Sequence, residues 1–296
     1  MPQSPTGLWD VERIQAQVKQ SLGRVSHAWP WGLSRSAQGR KGSRDRRLKP
    51  GFDQRPRLRA RAKLSPQPPL ISIVIPALNE AKNLPQVLQP LQTVAGVEVV
   101  VVDGGSADST PAVAAAEGAR VVLSTPGRAR QMNQGAAVAS GSILLFLHAD
   151  TRLPDGFEQT IRETLAQPGV VAGAFRLAID SPRRALRRVE WGVNLRSRLL
   201  QMPYGDQAIF LTTAVFDRLG GFPNLPMMED FELVRRLRRV GRVAIAPAAV
   251  VTSDRRWRTL GILRTTLANQ VMVAGYLLGV DPHRLARWYR NLGKPC

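Results

Sequence analysis

Short apolar runs alternate with longer stretches of mixed polarity across residues 70–150. ISIVI (71–75), VEVVVV (97–102), RVVL (120–123) and ILLFL (143–147) each read as a strand bounded by polar or turn residues. Runs this uniformly apolar suit a parallel sheet covered on both faces. Residues 81–94, 110–117 and 128–140 between them read as helices, with Pro85 tolerable only near a helix start. This alternation predicts βαβ units and a mostly parallel sheet flanked by helices. Beyond Asp150 the order changes. GAFRL (173–177), AIFLT (208–212) and VAIAPAAVV (243–251) read as extended, and residues 183–200 and 230–240 as helices. Leu260, Leu263, Leu267, Val271, Ala274 and Leu278 mark one apolar helical face, which fits either a packing helix or one lying in a membrane interface. The sequence contains no internal repeat.

The first 69 residues read differently. Leu8, Val11, Ile14, Val18 and Leu22 allow a short amphipathic helix over 8–22, and from Ser34 to Pro69 the chain is rich in Arg, Lys, Gly, Ser and Pro. Such a segment buries too little apolar surface to offset ordering, so 1–69 is expected to be a largely disordered basic arm. The folded domain is expected over 70–257, and 258–296 should form helices that pack on it or lie at a membrane surface.

Charge narrows the partners. The formal net charge is +20, of which +11 falls in residues 1–70. Anionic lipid headgroups and phosphorylated substrates fit that balance. Arginines without interleaved aromatics are poor evidence for base recognition, so nucleic acid is not an expected partner. Cys296 is the sole cysteine, so no intrachain disulfide is possible. Thr265–Val280 is uncharged but falls short of the roughly 20 residues that span a bilayer, and no apolar signal segment follows the start. The expected location is cytoplasmic, with room for peripheral attachment to the inner face of the cell membrane.

Candidate chemistry gathers where strands end, because open parallel sheets bind ligands outside the carboxyl ends of their strands. ILLFL runs into His148, Ala149 and Asp150; Asp150 could meet a hard cation there or merely cap the next helix. VEVVVV ends at Asp103-Gly104-Gly105-Ser106, a turn whose acid could accept bonds from a ribose or a base, or only hold the turn. Arg128 and Arg130 open a helix, where backbone N–H groups already favour anions; they could neutralise a diphosphate or be solvated. Glu229 and Asp230 open another, as dipole partners or as a general base with its support. No G-x-G-x-x-G follows a strand, and there is no Walker A sequence.

In this order the pieces resemble the family 2 glycosyltransferases with the GT-A fold, over roughly residues 70–257. ISIVIPALNE is similar to the family's opening strand and nucleotide loop, VVDGGSADST to its nucleoside-binding segment, LLFLHADT to its D-x-D metal motif, and Glu229-Asp230 to its acceptor-side pair. The resemblance implies a Rossmann-like α/β fold. It also implies a nucleotide-diphosphate sugar donor and inverting transfer to a hydroxyl or carboxylate. Pro76, Leu78 and Glu80 would line the base pocket, Asp103 would hold the nucleoside, and Arg128 or Arg130 the diphosphate. Asp150 would hold a divalent metal, with His148, which stands where the family has an acid, as a further ligand. A site short of carboxylates suits Mn²⁺ better than Mg²⁺. Asp230 would be the catalytic base, supported by Glu229.

The Gly205-Asp206-Gln207 turn and the Arg255-Arg256-Trp257 cluster resemble a small, nonprocessive bacterial subfamily, which implies Gly205, Asp206, Gln207, Arg256 and Trp257 on the acceptor side. Ser253 at the Gln position of the Q-x-x-R-W signature argues against a processive synthase. Some relatives glycosylate carotenoid carboxylic acids, such as 4,4'-diaponeurosporenoate, or other lipids, so the acceptor is expected to be a small molecule or a lipid. Two competitors stand beside this reading. A sugar nucleotidyltransferase would need a glycine-rich basic loop after the first strand, where this chain has PALNEAKN. A non-enzymatic adaptor for anionic surfaces would work through the basic arm.

Overall fold

The four apolar runs form strands Ile71–Ala77 (β1), Val97–Asp103 (β2), Arg120–Leu123 (β3) and Ile143–Phe146 (β4). In the computed structural model of the chain, residues 70–292 are described. The expected arm, its helix over 8–22 and Cys296 lie outside them. The helices between the strands are Leu84–Leu88 (α1), Thr110–Ala116 (α2) and Arg128–Val138 (α3). The helix expected over 81–94 is cut to α1 and a 3₁₀ turn, Gln89–Leu91, because Pro85 and Pro90 each remove a backbone donor.

After β4 come Thr151–Arg152 (β5), Phe157–Leu165 (α4), Val170–Asp180 (β6), Arg184–Leu200 (α5), Ile209–Thr212 (β7), Thr213–Arg218 (α6), Glu229–Val240 (α7) and Arg242–Ser253 (β8). Arg255–Leu260 (α8), Ile262–Leu277 (α9) and Pro282–Leu292 (α10) complete the described chain. The strands join in one sheet, ordered β3-β2-β1-β4-β7-β6-β8-β5. β1, β2, β3 and β4 are parallel, β7 is antiparallel to both β4 and β6, β6 and β8 are parallel, and β5 is antiparallel to β8. The mostly parallel α/β arrangement follows from those pairings.

Alternation along the strands builds two cores. Ile71, Ile73 and Ile75 of β1 pack on one face with Val101 and Leu145, whereas Val74 packs on the other with Val100, Val102, Leu144 and Phe146. Both faces are covered, which is why the runs are nearly all apolar; Ser72 and Glu98, the exceptions in β1 and β2, hydrogen-bond to each other. Gly135 lets α3 lie directly on the sheet; a Cβ there would stand 2.3 Å from Val74 Cγ1. That close approach carries the N-terminus of α3, and Arg128 with it, over the strand tips.

The C-terminal apolar face is the clearest departure from a buried packing surface. Leu263, Leu267, Val271 and Leu278 point into solvent, while Thr265 and Met272 on the other side of α9 are buried. No helix among the described residues is long and apolar enough to cross a membrane.

Candidate active site

The tips of β1 and β4 and the end of β8 border one cleft with two connected chambers. The larger, about 710 Å³, is lined by Pro76, Leu78, Glu80, Asp150, Arg255 and Trp257, among others. The smaller, about 330 Å³, is lined by Tyr204, Met227, Glu229, Asp230, Phe231 and Met272, among others. Arg128, His148, Asp206, Arg256, Tyr289 and Arg290 border both.

Asp150 reaches the cleft because the chain turns immediately after β4. The Ser253 N–H donates to the Asp150 carbonyl at 3.1 Å, which brings the end of β8 alongside. Arg255, two residues on, donates from both terminal nitrogens to Glu80 (2.8 and 3.2 Å) and from Nη2 to Asp150 Oδ2 (3.3 Å). Burial raises the Asp150 pKa, Arg255 pulls it back down, and Glu80 raises it again. Among the described residues no group of three or more His, Cys, Asp or Glu side chains is placed to hold a metal ion. His148 Nε2 is buried without a hydrogen-bond partner. Burial, aided by the charges of Arg128 and Arg256, holds its pKa well below the usual histidine value, so the ring stays neutral. One carboxylate and one neutral imidazole fit a cation that takes its remaining ligands from phosphate and water.

The divide between the chambers is crowded around Gly205. A Cβ there would lie 2.7 Å from Arg128 Nη2, 2.9 Å from Asp230 Oδ2 and 3.3 Å from His148 Nε2. Only a residue without a side chain lets these three groups converge. The Gly205 N–H donates to Asp230 Oδ2 at 2.6 Å, and the Phe231 N–H donates to Asp230 Oδ1. Met228, just before α7, holds a left-handed φ of 68°, the kind of backbone cost that clusters at functional sites. Glu229 is buried and ion-paired with Arg128 Nε at 3.3 Å. Burial raises its pKa, Arg128 lowers it and Asp230 raises it. Asp206 Oδ1 is closed off from solvent and has no partner. Burial raises the Asp206 pKa; Arg196 opposes the rise and Asp230 adds to it.

Four residues expected at the site sit differently. The Asp103 carboxylate accepts from the Gly105 and Ser106 N–H groups and the Ser106 hydroxyl, so it holds its own turn and does not border either chamber. Arg130 is exposed, donates to Thr125 Oγ1 at 3.2 Å and lies outside both linings, because the side of α3 that faces the cleft carries Arg128 and Gln131, three residues apart. Gln207 is fully buried: its amide donates to the Phe175 carbonyl and its oxygen accepts from Ser197, so it fixes the Gly205–Gln207 turn from behind. Trp257 borders the larger chamber with Asp150, not the smaller one. Sequence reasoning missed Arg255 as a partner of two acids. It also missed Gln131, whose amide ties the Ala77 and Val102 carbonyls together (2.9 and 2.8 Å), and Tyr289 and Arg290 of α10. The Arg255-Arg256 pair directly after a strand was the available signal for the first.

The family described as glycosyl transferase family 2 has a model that matches residues 72–220, half of the chain. The chain belongs to glycosyltransferase family 2. The matched segment ends before Glu229, Asp230, Arg255 and Arg256. This family 2 glycosyltransferase is 35% identical over 114 residues to an uncharacterized protein of Mycobacterium tuberculosis, covering 36% of each chain. It is 30% identical over 165 residues to an uncharacterized glycosyltransferase of the same species, covering 52% of this chain and 75% of the relative. A PGL/p-HBAD biosynthesis glycosyltransferase of Mycobacterium bovis is 32% identical over 168 residues, covering 52% of this chain and 63% of that one. The chain therefore spans about a third to three quarters of these relatives. Among solved structures, a mannosyltransferase from Pyrobaculum calidifontis in complex with GDP-Man and Mn²⁺ superposes with a TM-score of 0.50 at 23% identity, covering 62% of this chain and 56% of that one. S. aureus TarS in complex with UDP-GlcNAc gives 0.51 at 17%, covering 62% and 58%. Likeness at these identities speaks to the fold, and both neighbours share the GT-A architecture.

Proposed function

We propose that this chain transfers a sugar, with inversion, from a nucleotide-diphosphate donor in the larger chamber to an acceptor in the smaller one. The observation that carries this reading is the shared wall. Arg128, His148, Asp206 and Arg256 border both chambers, and Asp230 meets Arg128 and His148 around Gly205. An acceptor oxygen entering from the smaller side attacks the anomeric carbon. The bond from that carbon to the diphosphate oxygen breaks, Asp230 takes the acceptor's proton, and the nucleoside diphosphate departs. An acceptor carboxylate would need only to be oriented. Arg128 and Arg256 offset the charge that develops on the leaving group, preorganised help worth on the order of 3–4 kcal/mol per donor.

Asp150 and His148 would hold a divalent cation, Mn²⁺ before Mg²⁺, which when bound supplies Lewis-acid stabilisation of the diphosphate. Asp150 would then have to release Arg255. The smaller chamber is walled by Met227, Met228, Phe231, Met272 and Val273, which suits an acceptor with an apolar body, such as a lipid or a carotenoid-type acid. One observation favours a second reading of the base: Asp206 borders both chambers, its Oδ1 has no partner, and burial raises its pKa.

The test is a panel of nucleotide sugars incubated with the full chain with and without Mn²⁺. Release of nucleoside diphosphate from at least one donor is expected. Release of sugar 1-phosphate, with nucleoside triphosphate formed only when pyrophosphate is added, would mark nucleotidyl transfer instead. A chain that neither binds nor consumes any donor would end the proposal.

A further inference from the structure

We propose that the outward faces of α5 and α9 form a docking surface for an anionic lipid bilayer, which the smaller chamber then faces through the other side of α9. On α5, Trp191, Leu195 and Leu199 recur every four residues on the side away from the core, and Trp191 is 68% exposed. On α9, Leu263, Leu267 and Val271 do the same, and Leu263 is 86% exposed. The inner sides of both helices are occupied. Leu186, Val189 and Val193 of α5 pack with Trp257 and Ile262, and Met272 and Val273 of α9 line the smaller chamber. The exposed stripes are therefore surplus to folding. Exposed apolar stripes on two helices that touch each other are the kind of surface that marks an interaction site.

Charge identifies the occupant. Arg188 and Arg198 lie within one turn of the α5 stripe, and Arg264 lies within the α9 stripe. All three are exposed, and none has an ion-pair partner among the described residues. From Arg255 to Leu292 the sequence holds seven arginines and one acid, Asp281. A second copy of this face would bring two arginine rims together, and residues 1–70, with a net charge of +11, would be repelled in the same way. An anionic headgroup layer satisfies the rim while the acyl boundary takes the leucines and Trp191. In-plane binding of this kind needs no spanning helix.

Flotation of the full chain with vesicles of phosphatidylcholine alone, or of phosphatidylcholine with phosphatidylglycerol, tests the proposal. Binding at least tenfold greater to the anionic vesicles is expected. Leu263→Glu/Leu267→Glu should cut it at least tenfold without changing the melting temperature or solution donor hydrolysis, neither residue bordering the cleft. Arg188→Glu/Arg264→Glu should remove the preference for anionic lipid. Unchanged binding by the leucine variant would assign attachment to residues outside α5 and α9 and overturn the proposal. So would a wild-type chain that floats with neither vesicle, or one that sediments as a dimer which the leucine substitutions dissolve. None of these outcomes depends on sugar transfer, so the docking surface stands or falls apart from the catalytic reading.

Discussion

The two chambers of the cleft are made of different materials. The larger one joins strand tips, Pro76 to Leu78, His148 to Asp150 and Thr252 to Ser253, to side chains of α8, with Glu80, Asp150 and Arg255 held in one ion-paired set. The smaller one is framed by helix side chains, Met272 and Val273 from α9, Phe231 from α7 and Tyr289 from α10. Strand tips are fixed by a sheet buried on both faces, so a charged ligand meets groups already in position. Methionines and helix flanks repack at low cost, so the smaller chamber can accept apolar bodies of varied shape. On the proposed reading, ion-paired groups at strand tips hold the donor while a methionine-lined helix wall admits the acceptor.

The sharpest way to break that comparison is to remove the group assigned to the wall between the chambers. Asp230→Asn should lower turnover by about 10²–10⁴-fold, the usual span for a general base, while nucleotide affinity in the larger chamber stays within about twofold by calorimetry. Asp206→Asn run in parallel decides between the two carboxylates: whichever substitution abolishes turnover names the base. Near-normal turnover in both would mean the wall between the chambers does not house the chemistry.

A smaller effect is expected inside the larger chamber. Arg255→Met removes the cation that holds Glu80 and Asp150. Freed from Arg255, Asp150 should bind Mn²⁺ several-fold more tightly in the absence of nucleotide, read by paramagnetic resonance of the free ion. Donor affinity should fall by roughly tenfold, about 1.4 kcal/mol, because Glu80 and Asp150 lose the cation that offsets their charge in the larger chamber. Unchanged Mn²⁺ binding would show that Arg255 and the cation do not compete for Asp150, and would count against Asp150 as a ligand.

The same contrast governs what could be read from the chain before folding. Strands β1, β2 and β4 are legible as apolar runs because burial on both faces leaves few polar positions in them, and the residues after each run are then placed by topology. Asp150 could be foreseen at a cleft on that argument alone. Asp103 shows its limit: the same topology puts it at a strand tip, but Gly105 and Ser106 supply three donors within its own turn and draw the carboxylate inward. The smaller chamber had no comparable local signal. Its lining comes from segments as far apart as Tyr204 and Arg290, and periodicity says that a helix has an apolar side without saying what covers it. On α9 the most regular apolar spacing marks the exposed side, because the inner side meets a chamber and tolerates Thr265 and Asn269. The two-residue β5 exists only through its pairing with β8, which no local propensity encodes.

The smallest expected effect concerns stability and reads the environment of the dividing wall without any substrate. Burial keeps the Asp206 carboxyl above its ordinary range, so the folded chain binds that proton more tightly than the unfolded chain does. Between the two pKa values the native state holds more protons, and stability therefore falls as pH rises through that window. Above the folded value the whole penalty is present; below the unfolded value, about 3.9, it is absent. Asp206→Asn removes the charge and keeps the shape. At pH 7 the variant should be more stable than the parent, read as a higher melting temperature. The gain should shrink steadily as the pH is lowered toward 4. A variant less stable than the parent at pH 7 would mean that the Arg196 and Arg128 charges outweigh the loss of hydration, and the carboxylate would then be held in place by attraction instead of being kept there at a cost to folding.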